Sequence, residues 1–177
     1  MNSHFFAYIS RMRFIQRWAL MRNTASENVQ EHSHQVAVLA HALALIRNEK
    51  FGGRVDPGLV AAAALYHDAS EILTGDMPTP IKYDNPAIRT AYKDVEAVAE
   101  GKLLRMLPPE LQAAYAPVLT AVDPEVEQLV KAADKLSAHI KCLEELKAGN
   151  GEFRAAAEQT RAVLAQRKSI NINKKSL

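Results

Sequence analysis

His67-Asp68 stands near the end of an Ala- and Leu-rich segment, with Glu71 four positions after the histidine and three after the aspartate. On a helix those spacings put the groups on neighbouring surface. A carboxylate is rarely buried without a partner or a metal, so three ionisable groups on one apolar turn need an explanation. Two further polar residues occupy positions where packing alone would choose an apolar side chain. His32 lies on the inward stripe of one helical segment, and Asp134 lies beside the inward stripe of another, flanked by Val130, Ala133 and Ala138. Two imidazoles and two carboxylates suit a divalent Mn, Fe, Co, Ni or Zn ion, and four protein ligands leave water positions on a six-coordinate ion. Water on such an ion becomes a usable hydroxide near neutral pH. Each residue taken alone also reads as a satisfied core group, because spacing does not show helices converging.

The elements that must position these groups are helical. His4 to Arg17 carries Phe5, Ile9 and Met12 at helical spacing. Arg17 to Asn23 reads as a connection. Thr24 and Glu27 match a capping box opening a helix to about Asn48, whose inward stripe is Val29, His32, Val36, Leu39, Leu43 and Ile46. Asp56-Pro57 pairs a cap with a proline at the first helical position, predicting a helix from Pro57 to about Thr74 that Gly75 ends. Residues 75–86 hold three prolines and read as a non-helical loop of the length that often borders a site. Helices follow over Ala87–Leu107, from Pro108-Pro109 through Tyr115, from Glu125 to Ala148 after Asp123-Pro124, and over Glu152–Arg167. The long one turns Leu129, Ala133, Leu136, Ile140 and Leu143 inward.

Composition agrees with an all-α chain. Among 177 residues, 48% are hydrophobic and only 7 are glycine, which leaves too few turn signals for a sandwich or barrel. The length fits one domain, expected over residues 1–167 with a polar tail at 168–177. Lys and Arg are scattered and the net charge is +2, so nothing favours a nucleic-acid polymer as partner. Cys142, the single cysteine, reads as a small buried apolar residue. There is no signal-peptide pattern and no 18-residue apolar run, so the expected location is the cytoplasm, away from membranes.

The order His32, His67-Asp68, Asp134 on successive helices resembles the HD-domain superfamily of metal-dependent phosphohydrolases. The match sharpens over contiguous blocks: Ser3 to Phe6, Arg17-Trp18, Met21 to Asn23, Glu27 to Val29 with Glu31 to Ser33, Phe51 to Gly53, Tyr66 to Glu71, Thr74 to Asp76 with Pro78 to Pro80, and Lys141 to Leu146. These resemble the bacterial 5′-deoxyribonucleotidases. The resemblance implies a compact helical HD domain of about six to eight helices. It also implies hydrolysis of 2′-deoxyribonucleoside 5′-monophosphates with a divalent cation such as Co²⁺ or Mn²⁺, and a homodimer. Rival readings are another HD phosphohydrolase, acting on a cyclic nucleotide or a nucleoside triphosphate, and a non-catalytic nucleotide-sensing module.

By resemblance, His32, His67, Asp68 and Asp134 are the metal ligands. Glu71 handles the proton of the attacking water or of the leaving 5′ oxygen. Arg17 orients the phosphate, a role that suits its planar fork of donors. Trp18 and the loop Asp76, Met77, Pro78 and Thr79 bind the nucleoside side, and His32, Asp68 and Asp134 also contact the substrate. Asp76 can accept a hydrogen bond from the 3′-hydroxyl, and Trp18 against C2′ can exclude a 2′-hydroxyl. His4, His34, His41 and His139 are expected to be structural or exposed. The segment from Arg167 to Leu177 does not resemble the family's C-terminal segment.

Overall fold

Three helices built largely on alanine form the centre of the molecule. The computed structural model describes residues 4–82 and 85–173, with side chains described through Gln166. Helix α2 (Val29–Phe51), α3 (Pro57–Tyr66) and α8 (Pro124–Lys147) pack pairwise on one another. Ala40, Ala44, Ala63, Ala64 and Ala133 are buried at their contacts together with Val36, Val60, Val126 and Val130. Small side chains let the backbones approach closely while valines fill the gaps between them. Burial on α2 runs through Ala37, Ala40 and Ala44, and Ile46 is exposed. The inward stripe is therefore rotated toward the small residues relative to the expected one. On α8, Leu143 is likewise exposed, whereas Ser137, Lys141 and Glu145 are buried.

Caps explain most of the boundaries. Asp56 accepts from Gly58 N at 2.8 Å ahead of Pro57, and Asp123 accepts from Glu125 N at 2.8 Å ahead of Pro124. Gly52 takes the left-handed conformation that closes α2. The box at the start of α2 is formed by Asn28 and Glu31, not by Thr24 and Glu27, whose side chains are engaged elsewhere.

The N-terminal segment departs from the expected continuous helix. Helix α1 (Phe5–Ile9) tightens into a 3₁₀ turn over Ser10–Phe14, after which the chain becomes extended. There Arg17 N donates to the Glu27 carbonyl and Val29 N to the Ile15 carbonyl, both at 2.9 Å, around an antiparallel bridge between Gln16 and Asn28. Pairing these strands of chain is incompatible with helix, and it throws residues 18–26 into a closed loop. Phe5 anchors a second core with Ala69, Leu103, Leu107 and Leu119.

The expected helix to Thr74 is interrupted. α3 stops at Tyr66, residues 67–70 form turns closed by i→i+3 bonds, and the short α4 (Glu71–Thr74) follows. The proline-rich stretch contains a single helical turn, α5 (Thr79–Lys82), because Pro80 sits in its first turn, where no N–H is needed. Helix α6 (Pro86–Arg105) buries Tyr92, Ala99 and Leu103, with Val95 exposed. α7 (Pro109–Leu119) outruns its expected end at Tyr115 despite Pro117, which lies in its last turn. A third core gathers Cys142, Phe153 and Ala157, with Trp18 and Met21 against it. α9 (Arg154–Asn173) continues past Arg167, while residues 174–177 of the expected tail lie outside the described residues. Among the described residues no helix is long and apolar enough to cross a membrane.

Candidate active site

The end of α3, the first turn of α2 and the middle of α8 bring the four predicted polar residues together. His32 Nε2 lies 3.2 Å from Asp134 Oδ1 and 3.6 Å from Asp68 Oδ2, and His67 Nε2 lies 3.1 Å from Asp68 Oδ2. The tightest group is His32, His67 and Asp68, whose ligand atoms fall within 4.8 Å of one another. Asp134 stands at its edge, with Oδ1 toward His32 and Oδ2 3.2 Å from Lys135 Nζ.

The ring protons are fixed from outside. His67 Nδ1 is 2.7 Å from the Ala64 carbonyl, which can only accept, so Nδ1 carries the hydrogen. Ser137 Oγ donates its one hydrogen to Gln35 Oε1, and its oxygen is left to accept from His32 Nδ1 at 3.3 Å. Both neutral rings therefore present a bare Nε2 lone pair. Each of these Nε2 atoms is buried and lacks an aligned hydrogen bond, and each faces carboxylate oxygens. Lone pairs turned on carboxylates repel unless a cation or a proton sits between them. Second-sphere bonds of this kind are how metal-ligating histidines are oriented. Burial disfavours charge on His67, but Asp68 outweighs it and raises the ring's pKa. Burial also opposes the charge on Asp68 and Asp134. The neighbouring His67 and Arg17 for the first, and His32 and Lys135 for the second, hold both well below the usual carboxylate range.

Arg17, at the end of the extended segment, lies beside this group, and Trp18 follows it at the start of the 18–26 loop. Arg17 Nη1 is 3.4 Å from Asp68 Oδ2, and its Nε donates to Glu27 Oε2 at 3.1 Å. Burial works against its charge, yet Asp68, Glu27, Asp134 and Asp76 raise its pKa further. Glu71 begins α4 as a buried carboxyl whose Oε2 has no hydrogen-bond partner. Burial first, then Asp68 and Asp76, push it up to about 9. Asp76 is raised as well, mainly by burial.

A cavity of about 580 Å³ opens beside the cluster, with Arg17, Trp18, Asp76, Pro78 and Thr79 in its wall. Met77 is half-buried and is not part of that wall. On the far side α8 and α9 contribute Lys135, Gln159 and Thr160. His4, His34 and His41 are exposed, and His139 pairs with Thr160.

Sequence reasoning missed three groups. Glu27 holds Arg17 and Trp18 rather than capping a helix. Ser137 sets the His32 tautomer. Lys141 and Glu145 form a buried pair where an i,i+4 spacing ordinarily marks a solvated helix face. Glu145 accepts from Thr24 N, Thr24 Oγ1, Ala25 N and Asn150 Nδ2, and so ties the 18–26 loop to α8.

Residues 4–174 match the family model described as 5′-deoxynucleotidase YfbR-like. A 5′-deoxynucleotidase of Vibrio vulnificus is 56% identical over 170 residues, covering 95% of this chain and 88% of that protein. One of Cronobacter sakazakii is 54% identical over 174 residues, covering 97% of this chain and 87% of its own. Among solved structures, an HD-domain phosphohydrolase of Listeria innocua superposes with a TM-score of 0.82 at 24% identity, over 94% of this chain and 81% of that one. The cyanophage S-2L HD phosphohydrolase, bound to dA and one catalytic Zn²⁺, superposes at 0.58 with 21% identity, over 95% and 96% of the two chains. The chain shares its helical architecture with these HD-domain phosphohydrolase structures, and it belongs to the YfbR-like 5′-deoxynucleotidase family.

Proposed function

We propose that this protein hydrolyses 2′-deoxyribonucleoside 5′-monophosphates to deoxyribonucleoside and phosphate, with a divalent cation held by His32, His67, Asp68 and Asp134. The observation that carries the reading is the pair of buried imidazole Nε2 lone pairs turned on carboxylates, beside Arg17 at the wall of a nucleotide-sized cavity. Names of relatives at about half identity supply the substrate class. When bound, the cation supplies neutralising charge for the phosphoryl oxygens and lowers the pKa of a water.

The residues divide the remaining work. Phosphoryl transfer asks mainly for positioning and charge. Arg17 keeps its Nε on Glu27 and offers its outer nitrogens to phosphate oxygens. Glu71, buried at the start of α4, manages the proton of the attacking water or of the departing 5′ oxygen. Asp76 accepts from the 3′-hydroxyl. Trp18 packs against C2′ and leaves no room for a 2′-hydroxyl, while Met77, Pro78 and Thr79 belong to the loop on the nucleoside side. Co²⁺ and Mn²⁺ suit the ligand set. A homodimer in the cytoplasm, with one domain over residues 1–167 whose last helix runs on into a polar C-terminal segment, completes the proposal.

The test is phosphate release from dAMP and from AMP with Co²⁺ or Mn²⁺, before and after EDTA. Hydrolysis of dAMP well ahead of AMP, abolished by EDTA, is expected. Equal rates on the two substrates refute the deoxy preference, and activity that survives chelation refutes the cation.

A further inference from the structure

We propose that Glu27 is the positioning residue for sugar discrimination, clamping Arg17 and Trp18 together through one carboxylate oxygen. The inference rests on the deoxynucleotidase reading. Glu27 Oε2 accepts from Arg17 Nε and from Trp18 Nε1, each at 3.1 Å. The backbone closes the same unit, since Arg17 N donates to the Glu27 carbonyl at 2.9 Å. Arg17 and Trp18 line the cavity and Glu27 does not, so Glu27 acts through them.

The backbone shows that Trp18 is held rather than resting. Its φ is +58°, a left-handed conformation that is unfavourable for a bulky side chain. Such strain persists only where the surroundings over-determine it. Its carbonyl accepts from Met21 N at 2.9 Å and from Asn23 Nδ2 at 3.3 Å, and its indole is held by the Glu27 hydrogen bond and by the tilted Phe153 ring, 5.3 Å between centroids. Phe153 belongs to the fixed core on Cys142, which leaves Glu27 as the contact shared with the arginine. Phosphate grip and 2′-position exclusion are therefore coupled. Releasing Glu27 frees the guanidinium to swing and the indole to tilt away from the sugar.

The experiment uses the full-length protein with Mn²⁺ and compares wild type, Glu27→Ala and Glu27→Gln. Charge-assisted hydrogen bonds of this kind make a difference of about tenfold. That is the expected fall in the dAMP to AMP ratio of kcat/KM for Glu27→Ala, with an intermediate fall for Glu27→Gln, whose amide oxygen still accepts. The chain has one tryptophan, so its fluorescence reports on Trp18 alone. Acrylamide quenching is expected to rise in the same order. Unchanged ratio and unchanged quenching in a folded Glu27→Ala overturn the clamp. If that variant fails to fold by circular dichroism, the same two readings on Glu27→Gln decide. A wild type inert toward dAMP would sink the deoxynucleotidase reading, while quenching still scores the clamp by itself.

Discussion

Replacing Glu145 by glutamine tests how the recognition loop is held. The carboxylate is 1% exposed, and five donors converge on it: Thr24 N at 2.9 Å, Thr24 Oγ1 at 2.7 Å, Ala25 N at 3.2 Å, Asn150 Nδ2 at 2.9 Å and the Lys141 ammonium. A glutamine keeps one oxygen and turns an NH₂ on the rest. Lys141, 5% exposed, is left with the Ala25 carbonyl and no counter-charge. Removing one partner of a buried ion pair costs about 3–5 kcal/mol. For a chain of this length each kcal/mol is worth roughly 2–4 °C, so Tm is expected to drop by about 6–20 °C. Thermal and urea melts followed by circular dichroism read this directly. Lys141→Met and the double variant complete a mutant cycle, in which the two changes should fall short of adding by about 1–3 kcal/mol. A loss under about 1 kcal/mol for Glu145→Gln, with simple additivity, would show that the pair is a bystander and that the loop is held otherwise.

Other expectations are narrower. Saturating Mn²⁺ or Co²⁺ should raise Tm by roughly 5–10 °C, the equivalent of a free ligand near 100 times its Kd, and His32→Ala should abolish the gain; differential scanning fluorimetry on both proteins checks it. Glu71→Gln should lower kcat by about 10²–10³-fold while leaving Tm within about 2 °C, since the amide replaces a carboxyl already held neutral by its surroundings; steady-state kinetics with melts separate the two effects. Glu100 carries a pH dependence: burial, then Glu96 and Glu127, push it from an ordinary 4.5 to about 7. The folded chain then binds more protons than the unfolded one between those values, so stability falls as pH rises across that window. Glu100→Gln should add about 1 kcal/mol at pH 8, after discounting for solvent screening, and nothing at pH 4; urea titrations at the two pH values measure it.

Long helices were legible because period and caps agree. Asp56-Pro57 and Asp123-Pro124 mark their own helix starts, and the Ala-rich α3 has little alternative. Local pattern failed where tertiary bonds overrode it. Two capping boxes compete at the start of α2, Thr24 to Glu27 and Asn28 to Glu31, and nothing local says that Arg17 and Trp18 will claim Glu27. The extended pairing around Gln16 likewise depends on a partner twelve residues away. Lys141 and Glu145 have the spacing of an exposed helix pair, and only the arrival of Thr24 buries them. The grouping of His32 with the 67–68 pair rested on resemblance, since spacing within a helix carries no information about another helix. Ser137 was unreadable for the same reason: its value lies in which ring it faces.

The tether between Thr24 and Glu145 spans 121 positions of the chain. During synthesis the N-terminal half carries Arg17, Trp18 and their shared partner Glu27 from the start, but the carboxylate that fastens Thr24 and Ala25 to α8 is made only at position 145. A nascent chain shorter than α8 therefore holds His32 and the 67–68 pair but no finished mouth for a nucleotide. The fastening of the 18–26 loop is thus one of the long-range closures of the fold, available only once α8 is in place.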